Sequence, residues 1–243
     1  MKFTFIAFLV LAAPLARAAG EPADYVQVPQ VVAGEREIDF KAGSATPADG
    51  GRISAASVGF GYGINDVWFS EAYAKWQRVA PEQTRFDAIE LENKLQLTET
   101  GQYPVDLGLV LETEFPRARA DGYPVTLTLL MQAESGRWQF NGNVLLQRSY
   151  RGEAADVTQF GYQWQVQYRW QPALQYGLQG FGELGPWNAW SSRSGQTNRA
   201  GPALFGKLSL GHATAIRYNA AWLVGMDPGA PAHTLRLQSE YEF

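Results

Sequence analysis

Carboxylate side chains recur at alternate positions in several stretches of the sequence. Glu90 and Glu92 are one such pair, and Glu71 is followed four residues later by Lys75. Two carboxylates at a suitable separation can act as general acid and base. More often they form one hydrated face of an extended strand, because side chains along a strand alternate in direction. The spacing therefore makes acid/base catalysis the lesser alternative.

The histidines give little support for hydrolysis by a serine nucleophile. Such a serine needs a base, usually His, to take its proton. The sequence has two histidines, His212 and His233, and neither has a serine at an obvious catalytic spacing. There is no His-x-His pair for a metal ion, and there is no cysteine. We therefore predict a protein that is not an enzyme and that uses no cofactor and no metal.

The first 18 residues are typical of an export signal that is later cleaved. Lys2 supplies the charged start, Phe3 to Leu15 form the apolar stretch, and Ala16-Arg17-Ala18 is a small-x-small cleavage site. The apolar stretch is shorter than the ~20 residues that a membrane-spanning helix needs, and no later stretch approaches that length. The mature chain would carry a net charge of about −6, which argues against a nucleic-acid partner.

Segments of about ten residues with alternating polarity fill the remaining chain, and turn-forming residues separate them. They predict a single domain of twelve strands, at 36–43, 53–64, 67–78, 86–97, 105–115, 124–134, 137–148, 159–170, 174–184, 201–210, 215–226 and 233–243. Short links alternate with mostly longer ones, apart from the long link at 98–104. An even strand number puts both termini at one end, which in bacterial outer-membrane barrels is periplasmic.

The 159–170 strand carries the clearest membrane signal. One face has only apolar or aromatic residues and the other is polar apart from one glycine: Phe160, Tyr162, Trp164, Val166, Tyr168 and Trp170 against Gly161, Gln163, Gln165, Gln167 and Arg169. Other aromatic residues fall near predicted strand ends, where headgroups favour them: Trp68, Trp76, Trp138, Tyr176 and Tyr241. This pattern predicts an all-β transmembrane antiparallel barrel in the bacterial outer membrane. A soluble barrel around an apolar ligand is the alternative.

The closing segment, His233 to Phe243 (HTLRLQSEYEF), alternates in the same way and ends on Phe243, a signal for the barrel-assembly machinery. This segment resembles the corresponding part of outer-membrane β-barrel proteins of proteobacteria to which no activity is assigned. The same resemblance extends to GEREIDFK, GYGINDVWFSEAYAKW, RFDAIELENKLQLT and GYQWQVQYRW, at 34–41, 61–76, 85–98 and 161–170. It implies the fold and the outer membrane, and it transfers no catalytic or binding residue.

The polar face of a membrane barrel lines its lumen. The charged residues that we expect to set selectivity there are Glu71, Lys75, Glu90, Glu92, Lys94, Glu112, Arg169, Lys207, Arg217 and Arg236. Strands three to five are mainly acidic and favour cations, whereas the later arginines could reverse that preference. An open or gated pore for small polar solutes or ions is the leading hypothesis. A structural or adhesive barrel filled by salt bridges, and a lipid-modifying enzyme, remain alternatives.

Two segments lie outside the predicted strands. The long link at 185–201 combines Trp187, Trp190, Arg193 and Arg199, a set suited to stacking on a sugar or holding an anion. The two tryptophans are also suited to anchoring at the membrane interface. Residues 19–35, with Pro22 and Pro29, are expected to form a periplasmic N-terminal tail. That tail could enter the lumen, although nothing in its sequence requires it.

Overall fold

A computed structural model describes residues 21–47, 50–152, 157–211 and 214–243. It contains twelve strands: β1 Arg36–Thr46, β2 Ile53–Asn65, β3 Trp68–Val79, β4 Arg85–Gln96, β5 Asp106–Pro116, β6 Tyr123–Ser135, β7 Trp138–Tyr150, β8 Gln159–Gln171, β9 Leu174–Pro186, β10 Thr197–Gly211, β11 Thr214–Gly225 and β12 His233–Glu242. Two single-turn 3-10 helices, Arg119–Asp121 and Arg193–Gly195, lie in the links. The proposed export signal and His212 fall outside the described residues. No helix in the described parts is long and apolar enough to cross a membrane.

The strands form one closed antiparallel barrel in which each strand pairs with its sequence neighbours. Pairing of β1 with β12, for example Glu37 opposite Glu242, closes the sheet and leaves no free edge. Arg36 and Glu242 lie at the same end, here called the turn end, together with the β2–β3, β4–β5, β6–β7, β8–β9 and β10–β11 connections. The opposite end is called the loop end. The predicted all-β fold and strand number are confirmed.

The pairing of β4 with β5 differs from the prediction by two positions. The sequence-based turn at 98–104 would put Glu90 opposite Glu112, whereas the structure pairs Glu92 with Glu112 and Glu90 with Glu114. Leu97 donates its backbone N–H to the carbonyl of Leu107 at 2.9 Å, so the turn is centred one residue further along. A shift of one residue at the centre of a hairpin moves every cross-strand partner by two. In the neighbouring hairpin, Glu71 on β3 pairs with Glu92 on β4.

Alternation along the strands sorts the side chains as expected. On β8, Gly161, Gln163 and Gln165 are buried inside, whereas Trp164 is part of the outer surface. Large apolar residues are exposed all round the outside of the barrel. Aromatic pairs lie at both ends: Trp138 with Tyr168 and Tyr241 with Phe243 at the turn end, and Trp76 with Phe86 and Phe160 with Trp190 at the loop end. A wide apolar band between aromatic girdles is the surface that lipid requires.

Residues 21–31 lie inside the barrel and residues 32–35 lie at its mouth, where Val32 is 55% exposed; we call residues 21–35 the lumen segment. They run from Glu35, beside Gly63 at the turn end, to Glu21, which contacts Lys75 and Arg199 in the loop-end half. The sequence predicted a periplasmic tail that could enter the lumen, and the structure places most of these residues there. Inward-facing glycines make room for the segment, because a Cβ at Gly43 would collide with the Pro22 carbonyl. A Cβ at Gly63 would likewise collide with the Val32 carbonyl.

Candidate functional site

An acidic wall on β3, β4 and β5 forms one side of the lumen. Lys75 lies at its centre: its Nζ is 2.9 Å from Glu90 Oε2 and 2.6 Å from Glu114 Oε2. The same Nζ is 3.6 Å from Glu21 Oε2 of the lumen segment. One ammonium group thus neutralises carboxylates from two wall strands and holds the beginning of the segment.

Three further wall carboxylates, Glu71, Glu92 and Glu112, lie side by side on neighbouring strands. Like charges placed opposite one another repel, so such a row needs donors. The lumen segment supplies two of them. The Tyr25 hydroxyl donates to Glu92 Oε2 at 3.3 Å, and Gln27 Nε2 donates to Glu112 Oε1 at 2.9 Å. The wall and the segment are therefore complementary in hydrogen bonding.

Lys41 on β1 connects the acidic wall to the segment by a different contact. Its Nζ lies 3.6 Å from the centre of the Tyr25 ring and 3.5 Å from the centre of the Tyr73 ring. Asp39 Oδ2, 3.4 Å away, is its ion-pair partner. A desolvated ammonium between two aromatic faces is a favourable cation–π arrangement. Tyr25 is therefore held by both its ring and its hydroxyl group.

Two buried arginines form the opposite wall. Arg199 on β10 lies directly across the barrel from β4 of the acidic wall, and Arg236 lies two strands further round on β12; they are 3% and 4% exposed. The prediction that Arg199 belongs to an outer loop is wrong, because β10 begins at Thr197 and turns this side chain inward. Arg199 Nη2 donates to the Glu21 carbonyl at 3.0 Å and lies 4.0 Å from Asp24 Oδ2. The lumen segment thus contacts both charged walls.

A continuous chain of side-chain hydrogen bonds follows much of the inner circumference. Its members, in order, are Gln132, Asn141, Gln165, Gln179, Arg236, Asn219, Gln238, Asp39 and Tyr73. Most links are between 2.6 and 3.1 Å long. Each link satisfies a donor and an acceptor within the protein, whereas Asp39 Oδ1 and Arg236 Nε and Nη2 have no hydrogen-bond partner among the described residues. We call this continuous chain the amide chain.

Gln179 is the member whose loss should cost most, because it is fully buried and bonds on both sides. We expect Gln179→Leu to lower the free energy of unfolding by about 1–3 kcal/mol, since the oxygen of Gln165 loses its donor. Gln175→Leu, at the less buried Gln175–Gln167 pair near the turn end, should cost less. Urea unfolding in detergent micelles measures both changes. Equal losses would show that the amide chain contributes no special stability.

The other predicted lumen residues lie near the turn end and not at the centre. Arg169 binds Glu134 through two nitrogens, at 2.9 and 2.8 Å. Glu242 accepts from Lys207 at 2.6 Å and also from Arg217. Lys94 Nζ lies 4.9 Å from the centre of the Phe69 ring. The predicted residues therefore separate into the acidic wall with Lys75, the arginine wall, and this basic rim.

The loop-end candidates do not converge on one site. Trp187 and Trp190 are exposed, and Trp190 stacks on Phe160 of β8 with 5.8 Å between ring centres. Arg193 Nε donates to Asp227 Oδ1 at 2.9 Å. Hydrogen bonds from Asn198 and Arg193 lower the pKa of the Asp227 carboxyl below its ordinary value. Stacking on β8 agrees with a role of Trp190 as an interface anchor.

Catalytic groupings are not evident in the described residues. His233 stacks on Trp222 at the loop end, with 5.7 Å between ring centres. In the part of the chain that the structure describes, no group of three or more His, Cys, Asp or Glu side chains is placed to hold a metal ion.

Comparison with known proteins supports the fold. No protein-family model matches this chain, and no curated protein matches its sequence. Among solved structures, an outer-membrane channel from Pseudomonas putida F1 is similar, with a TM-score of 0.61, 12% identity, and coverage of 92% of this chain and 99% of that one. The translocator domain of the autotransporter NalP from Neisseria meningitidis has a TM-score of 0.49 at 13% identity, covering 87% and 89% of the two chains. The fold is that of a bacterial outer-membrane barrel.

Proposed function

We propose that this protein is an outer-membrane channel for small polar solutes or ions, and that the lumen segment closes it. The observation that supports this most is how the segment is held. Residues 21–33 take no part in the β-sheet and are attached to the walls largely by side-chain hydrogen bonds and ion pairs. Such contacts exchange readily for water, so the segment can leave while the barrel stays intact. What it would leave behind is a polar passage.

The orientation follows from the usual rule for such barrels. Short turns face the periplasm in outer-membrane proteins, so we assign the turn end and both strand termini to that side. Phe243 stacks on Tyr241 at the rim and donates its backbone N–H to the Arg36 carbonyl at 2.9 Å. We propose that this closing strand carries the signal for the barrel-assembly machinery, and that cleavage near Ala18 precedes assembly.

Locking the segment tests the channel directly. The chain has no cysteine, so Gln27→Cys with Glu112→Cys gives a clean pair on the segment and the wall. Bridging the pair with a bifunctional methanethiosulfonate should suppress single-channel conductance in a planar bilayer, and reduction of the bridge should restore it. Each molecule serves as its own reference.

Gln167→Cys with Gln175→Cys provides the matched control, because both residues belong to the wall. The same reagent should leave the conductance of this pair unchanged. Identical conductance of the bridged and reduced segment pair would reject gating by the segment.

A permanently filled structural barrel is the second candidate, and the amide chain favours it. The hydrogen bonds of that chain and the ion pairs of Lys75 connect side chains of many strands across the interior. Absence of conductance after reduction of the bridge, in protein that migrates as a folded barrel, would favour this candidate.

A catalytic role has less support, because His233 lies against Trp222 at the loop end and away from the charged walls. The cation preference expected from the acidic wall stays a prediction.

A further inference from the structure

Arg236 on β12 is buried, and one edge of its guanidinium group has no hydrogen-bond partner. Its Nη1 donates to Asn219 Oδ1 at 2.7 Å and also to Gln179 Oε1. Its Nε and Nη2 are buried and have no hydrogen-bond partner. Those two nitrogens form one edge of the guanidinium group, and this edge matches the two oxygens of a carboxylate. Burying two donors without an acceptor is unfavourable, so the arrangement needs another explanation.

The surroundings concentrate positive charge at this edge. Arg199 and Arg236 both lie against the Phe181 ring, 5.5 and 5.4 Å from its centre. Asp24 acts electrostatically on both arginines, and its Oδ2 is 4.0 Å from Arg199 Nη2. Asp24 belongs to the lumen segment. The Asp24 carboxylate can therefore leave with the segment, whereas Glu183 near Arg199 and Asp39 near Arg236 belong to the wall.

We propose that Arg236 and Arg199 form a binding site for the carboxylate group of a small solute, and that Asp24 occupies the neighbourhood of this site in the closed barrel. This inference rests on the proposed function. Arg236 binds the solute carboxylate through Nε and Nη2, Arg199 adds a second positive charge, and Phe181 gives an apolar surface for the carbon chain. A solute that binds where Asp24 lies favours withdrawal of the segment, because a ligand shifts a protein towards the state it binds better.

Calorimetric titration of the refolded mature chain in detergent micelles tests the site. Succinate is the probe, and succinamide is the uncharged control of similar size. We expect Asp24→Asn to bind succinate about tenfold more tightly than the unmodified chain, because the competing carboxylate is gone. Succinamide should not bind to either protein.

Arg236→Gln in the Asp24→Asn background should lose succinate binding, and Arg236→Lys should restore little of it because an ammonium lacks the paired donors. Arg169→Gln, on the basic rim, should keep the binding. Heat-modifiable migration checks that each variant is folded. The gain expected from Asp24→Asn tests the site even if an Arg236 variant fails to fold.

Equal succinate affinity in Asp24→Asn with and without Arg236→Gln would overturn the proposal, as would binding of succinamide. Absence of succinate binding in all variants would also overturn it. If the bridge experiment shows gating but succinate does not bind, the proposed channel function is supported and the proposed carboxylate site is rejected. If succinate binds but no conductance is found, the carboxylate site is supported and the proposed channel function is rejected.

Discussion

Replacing Lys75 with Met should destabilise the barrel by about 3–5 kcal/mol, the usual cost of removing one partner from a buried ionic cluster. The Lys75 side chain is 15% exposed, and its ammonium lies within 4 Å of the carboxylates of Glu21, Glu90 and Glu114. Without it these carboxylates face one another in a poorly hydrated space. Urea unfolding followed by tryptophan fluorescence in lipid vesicles measures the loss.

Two further variants separate charge from shape. Lys75→Arg keeps the charge and should cost much less. Adding Glu90→Gln and Glu114→Gln to Lys75→Met removes two of the three carboxylates, the two on the wall, and should recover much of the lost stability. If the triple variant is as unstable as Lys75→Met alone, packing of the lysine stem accounts for the loss.

Arginine in place of Leu111 should lower the free energy of unfolding by about 2–4 kcal/mol, because Leu111 lies midway along β5 and faces outward. The side chain is 46% exposed in the barrel, so in water the change would be nearly neutral. A large loss in lipid vesicles is therefore specific to a surface covered by hydrocarbon.

Leu107→Arg is the matched control, since Leu107 lies on the same strand and the same face but near the turn end. Close to the headgroups an arginine should cost only about 0–1 kcal/mol. A penalty that does not depend on depth would argue against a membrane-embedded outer surface.

The strands could be predicted from the sequence because each one obeys a single local rule. The strand face that meets lipid must be apolar, and the face that meets water or buried amides in the lumen must be polar. Alternation alone therefore indicates both where a strand lies and which of its faces points outward. Where the alternation is interrupted, prediction fails. The predicted strand began at residue 201, whereas β10 begins at Thr197. This late start put Arg199 in a loop, although the structure buries it in the lumen.

The lumen segment could not have been found by the same rule, since it has no sheet partner and no periodicity. Its complementarity with the walls depends on contacts between residues far apart in the chain, such as Gln27 with Glu112. A weaker signal was available in the inward-facing glycines. Gly43 and Gly108 offer no side chain to the lumen, and there the segment approaches closely through Pro22 and Pro29. The row of inward glutamines on β8 similarly indicated an amide-rich interior without indicating how the amides bond.

The seam between β1 and β12 has a consequence for how the molecule is built. Gln238 Nε2 donates to Asp39 across this seam at 3.1 Å, between residues 199 positions apart. Contacts of such sequence separation form late, because much chain entropy is lost before they are made. The lumen segment contacts strands on both sides of the barrel, so a segment that lies against the curling sheet would hold these strands close together before the seam closes. A segment near the start of the chain would then assist the last step of folding.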